Sequence, residues 1–288
     1  MVEVVAPSSL KEAVDIVRGS DGDAKYLGGG TALVLLVKMR MVNPELLVSL
    51  REVVDVPGWK DITVDNGLVH IGGGVTLTQL AANPRVRELL PSVAHSAGVV
   101  GNVRIRNCAT VGGSMAEADY ASDPPAALVS LDARVQLHNG VRSREVAVAD
   151  FITDFFTTVL DPDEIVTGVS VPLHDGVVRS SYLKFSSRSA ADRPCVGVAA
   201  SGAFDEGSPT DLRVVVGAVS GRPQWFPDIT APYLGAPLRD SAVAEIADGY
   251  AEAVDPVEDI RGSAWYRRQV VRAQVARSLR RISAGVSA

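Results

Sequence analysis

The sequence predicts a mixed α/β fold of the α+β class, arranged in two domains. With 288 residues and a hydrophobic content of 47%, the chain is long enough to build two domains around sizeable cores. Near its start, a strand pattern, a glycine loop, an apolar helix pattern and a second strand follow one another, as in a βαβ unit. Farther on, alternating segments on either side of Asn139-Gly140 predict a β-hairpin, which adds antiparallel sheet.

The N-terminal elements are predicted from capping and periodicity. Ser9 and Glu12 have the spacing of a capping box and precede an amphipathic pattern, so a helix is expected to begin there. A short strand at residues 25–27 leads into a glycine segment, and an apolar helix then runs to Met39. A second strand is expected at residues 46–50.

The middle of the chain predicts further strands and helices. A strand is expected at residues 68–71, and a helix is expected to open at Thr76, with Gln79 at the capping-box position. Another helix is expected near residues 91–100, and the hairpin occupies residues 133–146.

The C-terminal part predicts a second α+β domain. Beyond Pro172, strand patterns occur at residues 181–185, 196–204 and 212–219. A proline-rich connection follows, and two helices end the chain.

Charge and cysteine content exclude several functions. The net charge of −6, from 28 basic and 34 acidic side chains, disfavours a nucleic-acid partner. Cys108 and Cys195 are the only cysteines, so neither a disulfide framework nor an iron–sulfur cluster held by this chain alone is expected. There is no secretory leader pattern and no run of about 18 apolar residues, so a cytoplasmic protein without a membrane span is expected.

Three glycine segments could hold a diphosphate, because glycine lets backbone N–H groups approach a ligand closely. They lie at residues 28–32, 72–74 and 110–114. None of them matches a dinucleotide fingerprint or a P-loop. The segment at residues 72–74 follows a strand and precedes a capped helix, so we interpret it as a turn or a close packing contact.

In their order along nearly the whole chain, these motifs resemble the FAD-binding subunits of the molybdenum hydroxylases, the family of the carbon monoxide dehydrogenase medium subunit and the xanthine dehydrogenase flavin domain. The first family loop resembles residues 28–32, with Lys38 and Arg40 after it. The second resembles Ile105-Arg106-Asn107 running into residues 110–114. The residues that the resemblance implies to hold the FAD diphosphate are Gly28, Gly29, Gly30, Thr31, Ala32, Thr110, Gly112, Gly113 and Ser114.

Three further positions are implied by the resemblance to lie near the cofactor. Asp123 matches a family aspartate that contacts FAD, although its place before two prolines equally suits a helix N-cap. Val166 matches an aliphatic residue beside the flavin. Lys184 matches a lysine near the isoalloxazine, where a cation would stabilise the negative charge of a reduced flavin. From the sequence pattern alone, Lys184 would be a surface residue.

The resemblance also implies the domain arrangement. Residues 1–175 would form a two-part FAD-binding domain of the vanillyl-alcohol-oxidase/PCMH type, with subdomains at about residues 1–55 and 56–175. Residues 176–288 would form a small C-terminal α+β domain with antiparallel sheet and helices. The segment from Asp259 to Arg268 and the helix after it resemble the closing helix of that domain, and we interpret its arginines as a solvated or subunit-facing side.

The implied function is electron transfer within a complex. FAD on this chain would receive electrons from two [2Fe-2S] clusters on a small partner subunit, while a large partner subunit would carry the molybdenum–pterin centre. A dimer of such heterotrimers is implied, and FAD would then reduce an external acceptor. No catalytic acid or base is expected on this chain, because electron transfer needs none, and no metal ligand is expected on it. The holoenzyme's substrate and acceptor are not encoded in these residues.

Two departures and two alternatives accompany the resemblance. Ser114 replaces the commonest family asparagine, and the segment containing Arg193-Pro194-Cys195 is unusual. One alternative is a self-sufficient FAD oxidase, and the other is a non-catalytic assembly or sensor protein with the same fold. As covalent flavin anchors we considered His70, His95, His138 and Cys108, for which ordinary packing or surface roles are the preferred interpretation.

Overall fold

The computed structural model describes residues 2–173 and 177–285, and its first sheet is small and parallel. The elements of this part are β1 (Glu3–Val5), α1 (Leu10–Arg18), β2 (Ala24–Leu27), α2 (Leu33–Lys38) and β3 (Leu46–Ser49). The strand order is β1-β3-β2, with both pairs parallel, so the predicted βαβ unit is confirmed. Ser9 caps α1 by accepting a hydrogen bond from the Glu12 backbone N–H, and the Glu12 carboxylate in turn accepts from the Ser8 backbone N–H.

A five-stranded antiparallel sheet follows, in the order β4-β5-β10-β6-β7. Helices α3 to α8 lie between its second and third strands in the chain, and their apolar residues share the central core with this sheet. The elements are β4 (Ile62–Asp65), β5 (Leu68–Gly72), α3 (Leu77–Ala82), α4 (Pro84–Leu89), α5 (Pro91–Gly98), α6 (Val103–Cys108), α7 (Val111–Glu117), α8 (Pro124–Ser130), β6 (Arg134–His138), β7 (Ser143–Ala147), α9 (Val148–Phe151), β8 (Ile152–Asp154), β9 (Thr157–Thr158) and β10 (Ile165–Pro172). The predicted hairpin of β6 and β7 and the Thr76 capping box are both confirmed.

The C-terminal part is a four-stranded antiparallel sheet with two long helices. Its elements are β11 (Val177–Phe185), β12 (Val196–Asp205), β13 (Ser208–Gly217), β14 (Gln224–Trp225), α10 (Pro227–Thr230), α11 (Asp240–Ala253) and α12 (Ala264–Ser283). Alternate side chains of this sheet point to opposite faces. Tyr182, Ala199 and Val215 join the central core, whereas Val198 and Val216 pack with α11 and α12. The sheet is therefore buried on both faces.

Two features qualify the sequence-based description. The expected division between residues 175 and 176 lies outside the described residues.

Within residues 2–173 and 177–285, no helix is long and apolar enough to cross a membrane.

Arg267 corrects the interpretation of the C-terminal arginines as solvated or subunit-facing. Its side chain is completely buried at the start of α12, where it donates to the carbonyl oxygens of Cys195 and Ala218 and pairs with Asp259. A buried charge persists only where partners replace its hydration, and four acceptors do so here, the fourth being the Gly262 carbonyl. Helical periodicity did not reveal Arg267, because two of its partners, the Cys195 and Ala218 carbonyls, lie far from it in the sequence.

Asp259 connects the C-terminal part to the rest of the protein. Its carboxylate accepts hydrogen bonds from the Tyr120 hydroxyl at 2.7 Å, from Arg261 and from Arg267. Burial raises the pKa of this carboxyl, but the hydrogen bonds from Tyr120, Arg261 and Arg267 outweigh it and lower the pKa to about 2. Asp259 therefore stabilises the folded protein as an anion.

The lowered pKa predicts how Asp259→Asn changes stability with pH. The contribution of Asp259 is complete above its ordinary pKa of 3.8 and is lost as the pH falls towards about 2. We expect Asp259→Asn to lower the free energy of unfolding at pH 7 by about 2 kcal/mol or more. The difference from wild type should stay constant from pH 7 down to about pH 5 and shrink between about pH 5 and pH 2 in urea titrations. Asp255→Asn is the matched control, since Asp255 is 98% exposed and faces Arg268 at 3.8 Å. If the difference in the free energy of unfolding stayed constant with pH, the stabilisation would not come from the ionised Asp259 carboxylate.

Candidate functional site

The first and second glycine segments, residues 28–32 and 110–114, meet in the folded chain. A Cβ atom built on Gly28 would lie 3.0 Å from the Thr110 Oγ1, and one built on Gly29 would lie 1.9 Å from the Cys108 carbonyl oxygen. A Cβ on Gly113 would lie 2.9 Å from the Thr110 Oγ1. Only glycine permits backbones to approach so closely. We call this contact of Gly28, Gly29, Cys108, Thr110 and Gly113 the glycine junction.

The second glycine segment is the first turn of helix α7, which corrects the expectation of a glycine loop. Thr110 caps the helix, since its Oγ1 accepts a hydrogen bond from the Gly113 N–H at 3.1 Å. The N–H of Val111 donates to Val75, that of Gly112 to Gly73, and that of Ser114 to the Thr110 carbonyl. These N–H groups are thus used within the protein. The neighbouring Arg106 guanidinium is also engaged within the protein, because it donates to the Val100 and Gly101 carbonyls.

In the first glycine segment, by contrast, the backbone N–H groups remain available to a ligand. Among the residues that the structure describes, the backbone N–H groups of Gly29, Gly30, Thr31 and Ala32 have no acceptor. Gly30 has a φ of 71°, a left-handed conformation that glycine adopts without strain. Successive free N–H groups around such a turn form a concave site for an anion. This segment is half-buried and can bind a diphosphate.

Behind the junction, residues 72–74 hold α7 against the central sheet. A Cβ atom on Gly73 would lie 2.3 Å from the Val166 carbonyl oxygen, and one on Gly112 would lie 2.8 Å from the same oxygen. Gly72 and Gly74 are pressed against Trp59 and its neighbours. The interpretation of residues 72–74 as a close packing contact is confirmed. The Val166 side chain itself is 3% exposed and belongs to the central core.

Asp123, Tyr182 and Lys184 form a second cluster, which we call the buried triad. The Asp123 carboxylate accepts from the Tyr182 hydroxyl at 2.7 Å and from the Lys184 Nζ at 3.0 Å. Lys184 also donates to the Val99 carbonyl at 2.9 Å, and its side chain is 7% exposed. The alternative that Lys184 is a surface residue is therefore wrong.

Asp123 does occupy the N-cap position of α8, but its side chain does not cap the helix. Pro124 and Pro125 fill the first two helical positions and carry no N–H group, so the carboxylate finds few backbone donors there. It turns instead towards β11. The side-chain capping role considered for Asp123 is wrong.

Burial governs the charge state of the triad. Burial raises the pKa of the Asp123 carboxyl to about 6, although Lys184 and the hydrogen bonds from Tyr182 and Lys184 act to lower it, and Asp119 adds to the rise. Burial and the neighbouring carboxylate raise the pKa of Tyr182 well above 10.0, so its hydroxyl stays a protonated donor. Burial therefore moves the pKa of Asp123 towards neutral pH.

Tyr182 was not predicted from the sequence as a site residue. The available signal was its spacing of two residues from Lys184 on a strand, which places both side chains on one face of the sheet. The unusual Arg193-Pro194-Cys195 segment also has a structural role, because Arg193 pairs with Asp119 and the Cys195 carbonyl accepts from Arg267. Of the anchors considered for a flavin, Cys108 is exposed at the glycine junction, and His138 accepts from the Gly140 N–H through Nδ1.

Comparison with known families decides how this geometry is interpreted. Residues 1–174 match the FAD-binding domain of the molybdopterin dehydrogenases, and residues 181–282 match the C-terminal domain of the carbon monoxide dehydrogenase flavoprotein. The chain belongs to the FAD-binding subunits of the molybdenum hydroxylases. This molybdenum hydroxylase FAD subunit is accordingly a flavoprotein subunit of a molybdenum-dependent oxidoreductase, with a role in electron transfer.

Individual relatives cover the full length of this FAD subunit. The glyceraldehyde dehydrogenase medium chain of Sulfolobus acidocaldarius is 30% identical, with 97% of each chain covered. The structure of carbon monoxide dehydrogenase from Hydrogenophaga pseudoflava is similar with a TM-score of 0.93 at 27% identity, covering 100% of this chain and 98% of that one. Quinoline 2-oxidoreductase from Pseudomonas putida 86 gives a TM-score of 0.92 at 26% identity, covering 100% and 99%.

Proposed function

We propose that this chain holds one FAD at the glycine junction and relays electrons from iron–sulfur clusters of a small partner subunit to an external acceptor. The observation that carries the proposal is the junction itself. Two segments far apart in the sequence approach each other through glycines, and one of them presents four backbone N–H groups without an acceptor in the described part of the chain. The FAD diphosphate is an anion that suits such a site.

The two segments divide the work of binding. In the proposal, the N–H groups of Gly29, Gly30, Thr31 and Ala32 donate to the diphosphate, while Gly28 keeps the segment next to α7. The second segment contributes differently, because its N–H groups are already used. Thr110, Gly112 and Gly113 keep the backbones close, and the Ser114 hydroxyl can hydrogen-bond to the cofactor as an asparagine would.

Near the flavin ring we propose the positions Asp123, Val166 and Lys184. FAD, when bound, supplies the redox chemistry, and the protein binds it, orients it and sets its electrostatic environment. Lys184 would place a cation beside the ring, and Val166 anchors the strand beneath α7. None of these residues has to transfer a proton, so we propose no catalytic acid or base on this chain.

The partners we propose are a large subunit with a molybdenum–pterin centre and a small subunit with two [2Fe-2S] clusters. The chain has two cysteines, too few for the four thiolates that such a cluster usually takes. The relatives that it matches include medium chains of multi-subunit enzymes. We further propose a dimer of heterotrimers, a cytoplasmic location, and the domain division at residues 1–175 and 176–288, which the two matched family segments support.

The proposal is tested on natively purified protein. A flavin spectrum, with FAD released on denaturation, is expected together with a large and a small partner that bear molybdenum and iron. FAD on a lone chain that oxidises an alcohol or amine would instead indicate a self-sufficient oxidase. A colourless protein that does not take up FAD on reconstitution would contradict the proposal and favour an assembly or sensor role.

The exposed apolar side chains of helix α2 indicate where a partner subunit binds. Within the described residues none of its side chains is buried; Leu35 on the helix is 53% exposed, and Met39 at its C-cap is 60% exposed. An apolar helix left uncovered suits burial by another subunit. We expect Leu35→Lys combined with Met39→Lys to reduce the amount of partner that co-purifies about tenfold or more, because a charge would be desolvated in the contact.

The control for this variant is Val141→Lys, since Val141 is 79% exposed in the hairpin turn. Both variants should keep the thermal midpoint and the FAD content of wild type. Undiminished recovery of both partners with the α2 variant would show that this helix is not part of the contact.

A further inference from the structure

In the buried triad, each hydrogen bond to the Asp123 carboxylate helps to orient the other. Tyr182 is fully buried and Asp123 is 2% exposed, so water cannot replace a missing partner. The two carboxylate oxygens have different donors: Oδ1 accepts from Tyr182 and Oδ2 from Lys184. The orientation of the carboxylate, and with it that of the ammonium group, therefore depends on the tyrosine hydroxyl.

The neighbouring strand is shaped around this hydroxyl. Gly197 on β12 faces Lys184 across the sheet, and a Cβ atom at Gly197 would lie 2.5 Å from the Tyr182 hydroxyl oxygen. A larger residue would push the hydroxyl away from Asp123. The absence of a side chain at Gly197 thus leaves the space that the Tyr182 hydroxyl needs to reach Asp123.

Lys184 has one donor left. An ammonium group carries three N–H bonds, and the described residues accept two of them, through Val99 and Asp123. The remaining N–H is free to point at a ligand, and its electrostatic effect depends on whether Asp123 is ionised. A neutral Asp123 leaves the lysine charge uncompensated.

We propose that Tyr182 is a positioning residue: through Asp123 it sets the direction and the effective charge of Lys184 towards the flavin ring. The inference rests on the proposed function, in which Lys184 lies near that ring. The groups that act on Asp123 are Lys184 and Tyr182 on β11 and Asp119 before α8, and His95 on α5 lies against the Tyr182 ring, with 6.4 Å between the ring centroids. With Asp123 ionised the cation is partly neutralised, and with Asp123 protonated it favours the reduced flavin more strongly.

The direction in which Tyr182→Phe shifts the reduction potential of bound FAD follows from the hydrogen bond that the substitution removes. The Tyr182 hydroxyl stabilises the ionised carboxylate, so its loss lets Asp123 bind a proton at higher pH. The reduction potential of bound FAD should then exceed that of wild type over an intermediate pH range and converge with it at high and low pH. The pH at which the slope of the reduction potential against pH changes should rise by roughly one unit. A shift of one pH unit corresponds to the free energy of about one buried hydrogen bond.

The experiment is a spectroelectrochemical titration of FAD in the purified complex between pH 5 and pH 9. Wild type is compared with Tyr182→Phe, and with Tyr250→Phe as the control. Tyr250 is also fully buried, and its hydroxyl donates to the Val214 carbonyl in the other core. Tyr250→Phe should lower stability and leave the pH profile unchanged. In a Lys184→Met background, Tyr182→Phe should have no further effect on the profile.

Gly197→Ala provides a second approach should Tyr182→Phe not fold, because the added methyl group displaces the hydroxyl and should move the change in slope in the same direction. A Tyr182→Phe profile that superimposes on wild type, with FAD bound, overturns the inference and leaves the proposed function standing. Absence of FAD from the wild-type complex overturns both.

Discussion

Gly29→Ala is expected to abolish retention of FAD during purification while leaving most of the fold intact. The added Cβ atom would lie 1.9 Å from the Cys108 carbonyl oxygen, 2.5 Å from its carbonyl carbon and 2.9 Å from the Ala109 Cα. All three are backbone atoms, so no side-chain rotation can relieve the clash. The two glycine segments must separate, and the four free N–H groups of the first segment then lose their position.

A separation of this kind should weaken FAD binding about a hundredfold or more, since losing even two hydrogen bonds to a charged diphosphate, each worth about 1.5–3 kcal/mol, amounts to about 3 kcal/mol or more. The measurement is FAD per chain, from the visible absorbance and from the flavin released on denaturation. Circular dichroism and the thermal midpoint report whether the chain still folds.

Gly98→Ala is the matched control for Gly29→Ala. Gly98 ends α5, and a Cβ atom there would make an ordinary contact of 3.5 Å with the Ala81 side chain. This variant should retain a full complement of FAD. If Gly29→Ala does so as well, with unchanged affinity, the diphosphate is not held at the glycine junction.

Local sequence patterns predicted the secondary structure well because the physics involved is local. The caps at Ser9 and Thr76 act within one helical turn, and both helices begin where these residues place them. The hairpin at Asn139-Gly140 follows from turn geometry and alternation, and the strands pair as expected. The parallel pairing of β2 with β3 follows from the helix between them.

The site was less predictable, because its properties come from contacts between distant segments. The sequence at residues 110–114 is compatible with a loop or a helix start, and the hydrogen bonds to Gly73 and Val75 decide for the helix. Lys184 would be exposed on an isolated strand, but Asp123 and the Val99 carbonyl bury it. The family resemblance identified Lys184 and Asp123 as important without giving their mutual contact.

Arg267→Met is expected to be the most destabilising single change among those considered in the C-terminal part. It keeps most of the apolar volume but removes the donor from the Cys195 and Ala218 carbonyls and the cation from Asp259. Breaking a buried pair by removing one partner typically costs about 3–5 kcal/mol, because the remaining groups stay buried and unpaired. We expect a loss of that size in urea unfolding followed by circular dichroism.

Arg268→Met is the neighbouring control on the same helix. Arg268 is 40% exposed, and its contact with Asp255 at 3.8 Å is largely solvated, so its loss should cost less than about 1 kcal/mol. Equal effects of the two variants would refute a special role for Arg267. The double variant Arg267→Met with Asp259→Asn tests the cause more directly. If the cost arises from an uncompensated carboxylate, removing that charge as well should make the double variant less destabilised than the sum of the two single changes.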